Sequence, residues 1–184
     1  MQFSATKLPE VKIVEPRVFS DERGYFMETH HRGHFAAAGI HCDFLQQNQS
    51  FSRAGVLRGL HYQIGFEQAK LVRAVTGCVL DVAVDMRRGS PRFAQWVAVE
   101  LSAENQRMLY VPAGFAHGFC AIEQSVVVYA CSDLYHPEAE RGVIYDDATL
   151  AIPWPKGEFL LTDKDLALPA LDAIGEADLP VYGG

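Results

Sequence analysis

This chain of 184 residues has no CxxC pair, no apolar run approaching a membrane span of roughly 20 residues, and no excess of positive charge. Each absence narrows the field. The four cysteines, Cys42, Cys78, Cys120 and Cys131, form no dense disulfide framework and read as reduced, mostly buried thiols of a cytoplasmic protein. The segment Met1 to Pro9 is mixed and lacks the apolar stretch of a secretory leader, so none is expected. With 16 basic against 23 acidic residues the net charge is −7, which argues against a nucleic-acid or membrane-surface binder needing a broad positive field. A small anionic ligand stays compatible, because a few arginines in one cleft suffice to hold it.

Helix signals are sparse as well. Arg32 to Ala38, stopped by Gly39, predicts one short helix, and Thr162 to Leu168, with Thr162 as N-cap, predicts another. Strand signals fill most of the rest. In Val79 to Met86, Leu80, Val82, Val84 and Met86 share one face, while Asp81, Ala83 and Asp85 share the other. Lys70 to Val75, Trp96 to Leu101 and Ser125 to Ala130 are further strands, punctuated by turns at Thr76-Gly77, Arg88-Gly89-Ser90-Pro91 and Pro112-Ala113-Gly114. Residues 1–184 thus read as a single all-β domain, an antiparallel sandwich or barrel of the jelly-roll type with minor helical trim.

Two segments set a histidine among glycines: Val56-Leu57-Arg58-Gly59-Leu60-His61-Tyr62-Gln63 and Val111-Pro112-Ala113-Gly114-Phe115-Ala116-His117-Gly118-Phe119. Glycines beside a histidine permit close backbone approach and an exposed imidazole. Arg58 and His61 would point to opposite faces of a regular strand, and Gly59 is where a bulge would bring both to one cleft. A metal reading places ligands at His61, Glu67 and His117. Gln63 stands where a third imidazole would complete that set, and an amide is a weak ligand, so no metal is expected.

Metal-free chemistry fits the same pocket. A neutral histidine oriented by a carboxylate is a base near neutral pH, a tyrosine across from it is an acid, and a lysine stabilises an enolate oxygen. A base on one face and an acid on the other is what inversion of a carbon beside a carbonyl requires. The candidates are His61 or His117, Lys70, Tyr129, and Asp165 or Asp81.

These residues belong to a longer pattern. Asp21-Glu22-Arg23-Gly24-Tyr25-Phe26, Gln46-Gln47-Asn48, Val56 to Gln63, Lys70-Leu71-Val72-Arg73, Asp81 to Asp85, Ser90-Pro91 and Pro112 to Phe119 together resemble the dTDP-4-dehydrorhamnose 3,5-epimerase family, from about Pro9 to about Asp165. The resemblance implies a cupin jelly roll without cofactor or metal, acting on a nucleotide sugar, dTDP-4-dehydro-6-deoxy-D-glucose, as a homodimer with shared sites. It implies His61 as base, Asp165 as its orienting carboxylate, Tyr129 as acid and Lys70 as enolate stabiliser. His117 becomes a further polar group of the site, Arg23, Arg58, Gln46, Asn48 and Lys164 surround the diphosphate, and Gln47 counts among the substrate-binding positions. Phe26, Glu28 and Tyr135 fall toward the nucleoside, with Tyr135 against the thymine, and Glu140 lies near the ligand.

The chain departs from the family pattern at Gln47, an acidic position in many members, and at Ala130, Leu134 and Arg141 just after Tyr129. Those last three changes bear on how Tyr129 is set, and hence on whether one carbon or both are inverted.

Overall fold

A computed structural model describes residues 1–183. The strands are β1 (Gln2–Ala5), β2 (Lys12–Glu15), β3 (Val18–Asp21), β4 (Gly24–Met27), β5 (Gln46–Ser52), β6 (Leu57–Gln63) and β7 (Lys70–Thr76). They continue with β8 (Cys78–Asp85), β9 (Trp96–Ser102), β10 (Met108–Val111), β11 (Phe115–Ala121), β12 (Ser125–Cys131) and β13 (Glu140–Gly142). Two short helices, α1 (Arg32–Ala37) and α2 (Asp163–Leu166), lie where the capping signals put them. The all-β expectation holds.

A six-stranded sheet runs β1-β2-β10-β7-β12-β5 and a five-stranded sheet β13-β6-β11-β8-β9, every pairing antiparallel. They face each other across a core that joins Val72, Leu109, Val111 and Val127 of the first to Val79, Ala83, Leu101 and Phe115 of the second. Each of these side chains larger than alanine contributes roughly 1.5–3 kcal/mol relative to exposure. This sandwich is the jelly roll that the turn spacing implied.

Both faces of β8 are covered, for different reasons. Val82, Val84 and Met86, with Leu80, pack outward under the chain's last third, against Leu150, Ile152, Trp154, Leu171 and Leu179. The other face, carrying Asp81 and Ala83, looks into the sandwich. The more polar face is therefore the interior one, and it supplies a carboxylate to the site.

The hairpin β3–β4 joins neither large sheet. Phe19, Tyr25 and Phe26 on it are exposed, Phe26 by 68%. Among the described residues, the edge strand β5 of the large sheet pairs only with β12.

Candidate active site

A cleft opens between the two sheets in two lobes of about 280 Å³ each, and His61, Lys70 and Tyr129 line both. One lobe is completed by Gln46, Asn48, Gln63, Gln68, Tyr135 and Glu140. The other is completed by Ser50, Arg58, His117, Phe119, Lys164 and Asp165. His61 comes from the five-stranded sheet, whereas Tyr129 and Lys70 come from the six-stranded one. The register explains the second group: Tyr129 lies between Asn48 and Val72, and Cys131 between Gln46 and Lys70. Alternation along these strands turns Gln46, Asn48, Lys70 and Tyr129 to one face.

Arg58 and His61 reach the same lobe through the irregularity that Gly59 suggested. His61 pairs with His117 and Arg58 with Phe119, so three steps on β6 match two on β11. Gly59 has φ +110°, and a Cβ there would sit 2.7 Å from both the Gly118 Cα and the His117 carbonyl oxygen. Only glycine tolerates that backbone and that approach.

His61 and Asp165, far apart in sequence, meet because residue 160 is stitched to the start of β6. Leu57 N–H donates to the Leu160 carbonyl, and Leu160 N–H to that of Gly55. Two residues on, Thr162 caps α2 by accepting from the Asp165 N–H, and its hydroxyl donates to Asp165 Oδ2 at 2.8 Å. That leaves Asp165 Oδ1, 2.7 Å from His61 Nε2, with no other partner; both atoms are sealed from solvent. Burial alone would raise the Asp165 carboxyl, but His61 and Thr162 outweigh it and hold the acid below its usual value. An ionised carboxylate thus sits against one nitrogen of His61 and leaves Nδ1 toward the cleft.

Asp81 belongs to the other histidine. Its two oxygens lie 3.0 and 2.9 Å from His117 Nε2, with Asp81 fully buried and His117 nearly so. Of the two acids, Asp165 lies beside His61 and Asp81 beside His117.

Across the cleft, burial above all pushes the Tyr129 hydroxyl upward, with Arg58 opposing, so the phenol keeps its proton at neutral pH. Lys70 makes no ion pair among the described residues. Burial lowers its ammonium, with the nearby Cys131, Asp81 and Glu140 acting against that shift.

A second network crosses between the lobes. Glu140 Oε2 accepts from the Tyr135 hydroxyl and from Lys164 Nζ, each at 2.5 Å, while Oε1 lies 3.9 Å from His61 Nδ1. Glu140 is placed by β13, whose Gly142 pairs with His61 and whose Glu140 pairs with Gln63. Tyr135 is engaged at its hydroxyl, and its ring remains about half exposed at the mouth.

Four of the expected residues are not in this cleft. Gln47 is a correction: alternation on β5 sends it to the opposite face, beside Gln49 and Arg73 in a separate concavity. Arg23, Phe26 and Glu28 are not brought to the chain's own cleft either. Arg23 is paired with Asp21 on the exposed hairpin, and Glu28 lies 3.2 Å from His34 Nδ1. The metal set does not assemble: Glu67 lines another concavity, and Gln63 is committed to the backbone at Phe66, Leu134 and His136. Ser50 was missed, although the alternation that relates Gln46 to Asn48 points to it next; its hydroxyl is buried in the second lobe without a partner.

The departures after Tyr129 stay clear of the tyrosine. Ala130 faces the outer concavity, Leu134 is exposed, and the Arg141 guanidinium turns away to Asp178.

Comparison with known proteins agrees with this geometry. The profile of the family described as dTDP-4-dehydrorhamnose 3,5-epimerase matches residues 5–173. The enzyme of that name from Shigella flexneri is 49% identical over 169 residues, spanning 90% of this chain and 93% of the relative. Among solved structures, dTDP-6-deoxy-D-glucose-3,5-epimerase RmlC from Legionella pneumophila Philadelphia 1, in complex with dTDP-4-keto-L-rhamnose, superposes with a TM-score of 0.97. It is 46% identical and covers 100% of this chain and 99% of its own. ChmJ, a 3'-monoepimerase from Streptomyces bikiniensis in complex with dTDP-quinovose, has a TM-score of 0.90 at 35% identity, over 97% and 92% of the two chains.

Proposed function

The chain belongs to the dTDP-4-dehydrorhamnose 3,5-epimerase family, and we propose that it converts dTDP-4-dehydro-6-deoxy-D-glucose to dTDP-4-dehydro-L-rhamnose by inverting C3 and C5 in turn. The observation that carries the mechanism is the placing of His61 and Tyr129 on facing sheets, with a cleft between them. A sugar ring held there meets a base on one face and an acid on the other.

The C4 ketone acidifies the hydrogens on C3 and C5. His61 Nδ1 takes one of them, with the imidazolium steadied by Asp165 at Nε2. The electron pair moves onto the ketone oxygen, where the Lys70 ammonium stabilises the enolate. Tyr129 then delivers its proton to the same carbon from the opposite side, and the centre is inverted. The residues supply the acid, the base and the electrostatics, so the step needs no redox cofactor or metal. Arg58 and Lys164 bring positive charge to the second lobe for the diphosphate, while Gln46, Asn48 and Tyr135 line the nucleotide side of the first.

The active form in this reading is a homodimer. The hairpin β3–β4 exposes aromatic residues that its own chain leaves uncovered, and β5 offers an unpaired edge beside Gln46 and Asn48. A second copy's hairpin added at that edge brings the partner's Arg23, Phe26 and Glu28 to the cleft mouth. The whole chain then acts as one catalytic unit. Four free cysteines suit a reducing, cytoplasmic setting, and no helix among the described residues is long and apolar enough to cross a membrane.

The test is turnover of the substrate by chelator-treated protein, with product configuration read by NMR. Inversion at both carbons supports the reading, and unchanged substrate contradicts it.

A further inference from the structure

Inverting two carbons with one base leaves a surplus proton at one end of the site and a missing proton at the other. After the first inversion His61 holds the proton taken from carbon, and Tyr129 has given its own away. Before the second inversion His61 must lose that proton and the phenolate must regain one. The route out of His61 is constrained by the fold. Nε2 faces Asp165, and both atoms are sealed from solvent, with Asp165 held from behind by Thr162. A proton on that side has nowhere to go.

The Nδ1 side is open. Glu140 Oε1 lies 3.9 Å from Nδ1, and no other carboxylate among the described residues is within ion-pair reach of that atom. One bridging water, or an approach of about 1 Å, brings the two within proton-transfer range. Beyond Glu140 the path reaches bulk water, because Tyr135, bound to its other oxygen, is about half exposed.

Building on the proposed reaction, we infer that Glu140 is the proton outlet of His61 and resets the base between the two inversions. The imidazolium Nδ1–H bond breaks as the proton passes to Glu140 Oε1; the carboxylic acid then releases it to water in the open lobe. The Tyr129 phenolate takes a proton from water, so charge and atoms balance over the cycle. Burial alone would raise the Glu140 carboxyl, but Lys164, Tyr135 and the nearby His61 keep it below its usual value. Such an acid accepts the proton only in passing and does not trap it. Glu140 acts through His61 rather than on the sugar, so its removal penalises the reset more than the first abstraction.

Glu140→Gln keeps the side chain's size and removes its basicity. In single-turnover NMR with dTDP-4-dehydro-6-deoxyglucose, Glu140→Gln should slow the second inversion roughly tenfold or more beyond its effect on the first. A singly inverted species accumulates in consequence. In Glu140→Ala, added formate should restore formation of the doubly inverted product in proportion to its concentration, which a lost structural contact would not do. The two readings are independent, so misfolding of one variant leaves the other decisive. Doubly inverted product at the wild-type rate in Glu140→Gln, both inversions slowed equally, or no formate rescue of folded Glu140→Ala would overturn the inference. Absence of any inversion by wild-type protein would instead sink the substrate assignment itself.

Discussion

His61 and His117 are direct cross-strand partners on β6 and β11, and each has a carboxylate of its own against Nε2. The two carboxylates come from different layers. Asp81 stands on β8 inside the sandwich, while Asp165 arrives on α2 from the chain's last third. His61 is 27% exposed and His117 only 7%, so one imidazole opens to a ligand and the other is locked in place.

This division predicts unequal effects at the two acids. Asp165→Asn should lower kcat by about 10²-fold or more, since the imidazolium loses its charged partner, while substrate still binds. Steady-state kinetics of the variant, with KM near the wild-type value, checks this. Unchanged kcat would remove Asp165 from the mechanism.

Tyr129 carries the acid role alone. Tyr129→Phe should still form the enolate, because His61 and Lys70 are intact, and so should exchange solvent hydrogen into the substrate. Inverted product should fall by roughly 10²-fold. Exchange and inversion lost in equal measure would place Tyr129 in binding rather than protonation.

Much of this site was legible in the residues, for definite reasons. Period-two alternation on β5, β7 and β12 places Gln46, Asn48, Lys70 and Tyr129 on one face, and Gly59 marks the bulge that brings Arg58 beside His61. Gln47 was placed in the site by its position in a motif, although the same alternation puts it outside. The pairing of Asp165 with His61 was beyond local pattern. It depends on the contacts of Leu160 with Gly55 and Leu57, which join distant segments. The interior role of Asp81 ran against hydropathy, because the apolar face of β8 is spent on the covering segment outside the sandwich.

Lys70 links function to stability. Burial lowers its folded-state pKa below the unfolded value, so between the two the unfolded chain binds more protons and stability rises with pH. Below the folded value the ammonium is charged in both states, and the cost of burying it is fully present. Lys70→Met should therefore raise Tm at about pH 7 by roughly 2–4 °C for each kcal/mol relieved, while abolishing turnover. The gap to wild type should narrow toward about pH 10, where the unfolded lysine also begins to lose its proton. Thermal melts at the two pH values test this, and a lower Tm for Lys70→Met at neutral pH would contradict it.

Sharing of sites between subunits predicts complementation. His61→Asn and Arg23→Glu should each be nearly inactive alone. After unfolding and refolding together, heterodimers should regain activity, because one site then pairs an intact His61 with the partner's intact Arg23. Random mixing yields heterodimers as about half of the dimers, each with one working site, hence roughly a quarter of wild-type activity. No recovery, in a mixture shown to contain heterodimers, would mean that Arg23 serves its own chain.

The most direct test of the central claim is solvent exchange: wild-type protein turning over dTDP-4-dehydro-6-deoxyglucose in D2O, with C3 and C5 followed by proton NMR. Proton removal at both carbons by His61 and return by Tyr129 should place deuterium at C3 and at C5 of the inverted product. Deuterium at one carbon alone would make the protein a mono-epimerase, and deuterium at neither would contradict enolate chemistry at this site.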